Sequence, residues 1–94
     1  MSIDRINIGD IVLSTTGRDK GNYFLVVDEK ENFLFIVDGK KRKVKASKKK
    51  NKKHLKSVVV AGLYDLAIRI KNGEAVGNEK VFKAINRTTK IEED

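Results

Sequence analysis

Two neighbouring runs, Tyr23-Phe24-Leu25-Val26-Val27 and Phe33-Leu34-Phe35-Ile36-Val37, are apolar at consecutive positions rather than at alternate ones. Both are short and rich in β-branched and aromatic residues, so they read as strands. Side chains alternate across a strand, which puts Phe24 and Val26 on one face and Leu25 and Val27 on the other. Likewise Leu34 and Ile36 oppose Phe33, Phe35 and Val37. A sheet made of such strands needs cover on both sides. Ile11-Val12-Leu13-Ser14 reads as a further strand ahead of them. The polar stretch Asp28 to Asn32 suits a hairpin turn, and Asp38-Gly39 suits a tight type I′ turn leading into a fourth strand, Lys40 to Ala46. A loop from Ser47 to Lys53 and a fifth strand from His54 to Val60 complete the expectation. Five short strands in so short a stretch predict a mainly β fold, a small twisted barrel over residues 1–60.

The second cover is expected from residues 61–94. Leu63, Leu66, Ala67 and Ile70 fall at i, i+3, i+4 and i+7, the spacing of an amphipathic helix that Asn72-Gly73 would end. Asn78 is placed to cap a second helix reaching about Arg87, with Val81 and Ile85 on its buried side. Both helices should lie against the barrel, and Thr88 to Asp94 should fray.

Charge is distributed very unevenly. Eleven of the 21 Lys and Arg residues lie between Lys40 and Lys56, a window without Asp or Glu, while the other 77 residues carry 10 basic and 13 acidic groups. The formal excess of +8 therefore comes from this one segment. A run of lysines is commonly a solvated tail, but this one sits between strand-like segments, so its potential should be fixed on one surface. A polyanion is the expected partner. Lysine is a flexible point charge suited to phosphate, and the window holds one arginine, Arg42, and no aromatic for base stacking. Tyr23, Phe24, Phe33 and Phe35 are read as core. The expected ligand is structured RNA, recognised by backbone and shape through Lys40, Lys41, Arg42, Lys43, Lys45, Lys48, Lys49, Lys50, Lys52, Lys53, His54 and Lys56. Arg18 and Lys20 form a second contact loop. Exchanging Lys48, Lys49, Lys50, Lys52 and Lys53 for Ser is expected to weaken binding and leave thermal stability nearly unchanged.

Little in the chain points to catalysis. His54 is the single histidine, and among lysines it reads as a structural or RNA-contacting group rather than a metal ligand or base. Asp28, Glu29 and Glu31 fit turn chemistry. Gly17-Arg18-Asp19-Lys20-Gly21 lacks the spacing, the terminal Lys-Ser or Lys-Thr and the following helix of a phosphate-binding P-loop. It reads as a sharp turn whose glycines take positive φ and whose tip displays Arg18 and Lys20. No enzyme, cofactor or metal is expected. With no cysteine and no apolar run long enough to span a bilayer, the chain is expected in a reducing, cytoplasmic setting without membrane contact.

Gly9-Asp10-Ile11-Val12-Leu13-Ser14, the loop from Gly17 to Gly21 and the apolar stretch Tyr23 to Val27 together resemble the KOW motif. Val37-Asp38-Gly39, Arg42-Lys43-Val44 and Lys53-His54-Leu55 extend the likeness to KOW-domain large-subunit ribosomal proteins numbered fourteen in the archaeal and eukaryotic series, and to their short bacterial relatives. The resemblance spans Gly9 to Leu55 and is looser beyond, where Asn72-Gly73-Glu74 and a short helix are similar to the bacterial forms. It implies an SH3-like barrel with Gly17 and Gly21 as loop glycines, and an RNA-binding role in translation with rRNA and the large ribosomal subunit as partners. Three other classes compete: a protein-interaction module of transcription or translation, a DNA-binding helix-turn-helix formed by the C-terminal helices, and an enzyme, which would need a polar pocket that nothing in the sequence marks.

Overall fold

The computed structural model describes residues 5–59 and 62–89. Five antiparallel strands, β1 (Ile11–Ser14), β2 (Tyr23–Lys30), β3 (Phe33–Val37), β4 (Lys48–Asn51) and β5 (Leu55–Val59), form one open sheet in the order β4-β3-β2-β1-β5. A single 3₁₀ turn, Lys52–His54, joins β4 to β5, and two helices follow, α1 (Tyr64–Lys71) and α2 (Asn78–Thr89).

The two-faced character of β2 and β3 is realised as two cores. On one face Val12, Phe24, Val26, Leu34, Ile36 and Leu55 pack together. On the other, Ile11, Leu25, Val27 and Val37 meet Leu66, Ala67 and Ile70 of α1, Val76, and Val81 and Ile85 of α2. The helices thus supply the second cover. Opposite Phe35, β2 carries an extra residue, so the register slips between Val26 and Asp28. Such a bulge bends the strand and lets two successive residues share a side. Val27 joins the helix-side core while Asp28 forms an ion pair of 3.4 Å with Lys71 of α1.

The segment from Lys40 to Ala46 corrects the expectation of a fourth strand there. It is an irregular loop, because the Asp38 carboxylate accepts hydrogen bonds from the backbone N–H groups of both Lys40 and Arg42 at 2.8 Å. The Asp38 and Gly39 N–H groups in turn donate to the Arg42 carbonyl. Gly39 alone of the pair has positive φ, +81°, so the turn is not type I′. Its Cα lies so close to α2 that an added Cβ would stand 2.2 Å from the Asn78 carbonyl oxygen. The strand starts only at Lys48, where pairing with Ile36 becomes available, and it takes the place of the expected Ser47 to Lys53 loop. The β2–β3 turn is the two residues Glu31 and Asn32, with Glu31 at φ 55°.

The first helix follows Leu63 and ends at Lys71 with Asn72 as its C-cap, where Asn72-Gly73 was expected to stop it. The second begins at Asn78, yet the Asn78 side chain does not cap it. Its Oδ1 instead accepts the Val44 N–H at 2.8 Å, tying the basic loop to the helix. The helix continues past the expected end at about Arg87 through Thr88 and Thr89, whose hydroxyls donate to the Ala84 and Ile85 carbonyls. Val60, expected at the end of the fifth strand, and the tail beyond Thr89 lie outside the described residues.

Candidate nucleic-acid interface

The turn between β1 and β2, Thr15 to Asn22, is the hub of the basic surface. Gly17 and Gly21 take φ of +78° and +89°, and the Lys20 N–H donates to the Gly17 carbonyl, closing a tight turn. Only residues without a Cβ reach such angles at little cost. That turn leaves Arg18 and Lys20 exposed and drives Asp19 inward, to 3% exposure.

Three parts of the lysine window grip this turn. Lys48 donates to Asp19 Oδ2 at 2.8 Å, and Arg42 approaches the same carboxylate at 3.3 Å. The Arg42 contact is the weaker one, since a single guanidinium nitrogen serves both oxygens and Nε is buried without a partner. Lys50 is itself buried, at 8% exposure, and donates to Ser14 Oγ and the Thr16 carbonyl, each at 2.9 Å. Finally, the His54 carbonyl accepts both the N–H and the hydroxyl of Thr15. Burial alone would raise the Asp19 carboxyl. The Lys48 hydrogen bond and the charges of Arg42 and Lys48 outweigh it, leaving the group below its ordinary 3.8.

The strand alternation of β4 explains this division of labour. Lys48 and Lys50 pair with Ile36 and Leu34 and point with them toward the β1–β2 turn, whereas Lys49 pairs with Phe35 on the other side. Lys49 Nζ lies 4.7 Å from the Phe33 ring centroid, and Lys40 Nζ lies 4.9 Å from that of Phe82 on α2. Aromatics absent from the basic window in sequence are therefore beside it in space. Lys52 pairs with Glu29, and Asn51 Oδ1 caps the 3₁₀ turn by accepting the Lys53 N–H.

Of the sequence-predicted contact residues, Arg42, Lys48 and Lys52 are held in ion pairs and Lys50 is turned inward. Lys40, Lys41, Lys43, Lys45, Lys49, Lys53 and Lys56, with Arg18 and Lys20, are exposed and form no ion pair among the described residues. His54 is half-buried and contributes its carbonyl to the hub. The anchors Ser14, Thr15, Thr16 and Asp19 were missed as a group. The one available signal was Asp19, the single acid in a loop that displays two cations. Tyr23 was read as core, but it is 38% exposed at the start of β2, while Phe24 is fully buried as expected. Among the described residues no cluster of three or more His, Cys, Asp or Glu could hold a metal ion, and no helix is long and apolar enough to cross a membrane. No protein-family model matches the chain, and no curated protein matches it.

Proposed function

We propose that this protein binds structured RNA, most naturally rRNA, through phosphate contacts from the exposed cations around the β1–β2 turn, and that it acts in the translation apparatus without catalysis or cofactor. The observation that carries the reading is the three-point attachment of that turn to the lysine window, at Asp19, at Ser14 with Thr16, and at Thr15. It brings Arg18 and Lys20 beside a segment 20 to 40 residues away in sequence and holds both in one arrangement. The turn and the basic window together expose nine basic groups without acidic partners among the described residues, Lys49 on the opposite face of β4 from the turn, a set too rich in lysine to read base edges and well suited to neutralising phosphates.

The strand order, the 3₁₀ turn before β5 and the bulge that bends β2 support the further reading that the sheet curls as an SH3-like KOW domain. A helix-turn-helix reading is disfavoured, because α1 and α2 bury their apolar faces against the sheet. Titration of a structured RNA at several salt concentrations tests the proposal. If about six side chains neutralise phosphates, log K against log[salt] falls with a slope of about −4 to −5. A slope near zero removes the electrostatic reading. Sedimentation of a lysate in low and high salt then asks whether the partner is the large ribosomal subunit.

A further inference from the structure

Beside the basic hub, a cleft of about 290 Å³ opens between the end of the β1–β2 turn, the start of the loop after β3, and the middle of α2. Tyr23, Phe82, Asn22 and Asn86 line it, and Lys40 and Lys41 stand at the loop side. The loop side is held in place, since Gly39 abuts the α2 backbone and Val44 is hydrogen-bonded to Asn78. Asp38 also borders the cleft, with Oδ1 already occupied by two backbone N–H groups, so its second oxygen remains as an acceptor.

Resting on the RNA-binding reading above, we propose that this cleft takes one unpaired nucleotide of the bound RNA, its base against Tyr23 and Phe82 and its phosphate at Lys40 and Lys41. Three features combine to fit that occupant. An exposed tyrosine, with a half-buried phenylalanine over whose ring the Lys40 ammonium stands at 4.9 Å from the centroid, offers ring surface that a base can use whatever its identity. The amides of Asn22 and Asn86 can donate to and accept from a base edge, and the free Asp38 oxygen accepts from an amino or imino group. The two lysines have no acidic partner among the described residues and continue into the charged area that would hold the flanking backbone. A paired base in a duplex cannot present its faces to such a cleft, whereas a bulged one can. The protein would then recognise folded RNA by combining phosphate grip with capture of one extruded base.

The test compares two RNA hairpins that differ only by one bulged nucleotide, each titrated with the full chain, its Tyr23→Leu variant and its Tyr23→Phe variant. The wild type should prefer the bulged hairpin by about tenfold, the scale on which one base stacked on an aromatic ring contributes. Tyr23→Leu should erase the preference while keeping affinity for the plain hairpin, and Tyr23→Phe should retain it. Equal wild-type affinity for both hairpins overturns the cleft proposal and leaves the RNA reading standing. A Tyr23→Leu loss shared equally by both hairpins also overturns it, by making the ring structural. Failure to bind either RNA, with adenosine monophosphate still shifting the side-chain amide resonances of Asn22 and Asn86, overturns the RNA reading and upholds the cleft as a nucleotide site.

Discussion

Lys50 and Lys53 lie three positions apart in the same lysine run and have opposite roles. The Lys50 ammonium is buried between Ser14 and Thr16, so replacing it with Ser removes two hydrogen bonds and opens a gap beneath the β1–β2 turn. Lys50→Ser should cost about 1.5–3 kcal/mol in chemical denaturation, the range for hydrogen bonds to a charged group, with little change in the salt slope of RNA binding. Lys53→Ser should do the reverse, shifting stability by less than about 0.5 kcal/mol and making the slope shallower by about 1. Serine exchange of the whole cluster from Lys48 to Lys53 should therefore lower stability as well as binding, where the sequence alone predicts a loss of binding only. Asp19 gives a pH signature. Its carboxyl is lowered in the folded state, so the stability it confers is fully present above the ordinary carboxylate range and is lost as pH falls through the depressed value. At neutral pH Asp19→Asn should be less stable than wild type by about 1–3 kcal/mol, and the gap should close on acidification below about pH 4. A gap that persists in urea unfolding at pH 2 would contradict this account.

At the level of elements, β2, β3 and both helices were legible because their signal is local: apolar runs of strand length and a clear 3.6-residue spacing. The fourth strand was not. Lys48-Lys49-Lys50-Asn51 has no β-branched or aromatic residue, and it is a strand because β3 offers it a partner and the β1–β2 turn offers its inward lysines acceptors. Neither condition can be read from the segment itself. The basic surface was legible as a concentration of charge, whereas its anchoring was hidden, since Asp19 is separated from Arg42 by 23 positions and from Lys48 by 29. The loop after β3 provides the sharpest test at this scale. Gly39→Ala places a methyl group 2.2 Å from the Asn78 carbonyl and asks alanine to adopt φ +81°. A loss of at least about 2 kcal/mol is expected, together with faster amide exchange at Val44, whose N–H depends on Asn78. Unchanged exchange at Val44 would show that loop and helix are not mechanically linked.

For the molecule as a whole, the two cores share β1, β2 and β3, so the helices cannot leave without exposing Ile11, Leu25, Val27 and Val37. Sheet and helices should therefore unfold in one transition. Ile85, 4% exposed in the helix-side core, is a suitable probe. Ile85→Ala should cost about 2–5 kcal/mol, a large share of the roughly 5–13 kcal/mol expected of a domain this size, and should lower helix and strand signals together in circular dichroism. Separate midpoints would mean that residues 61–94 behave as an appendage. The buried amine of Lys50 has one more consequence. Reagents that acylate amines should quickly tag the exposed lysines of this chain, yet reach Lys50 only when β4 lifts away from Ser14 and Thr16. Peptide masses followed over time would make that one side chain a native stopwatch for the opening of the hub, readable with and without RNA and without an introduced label.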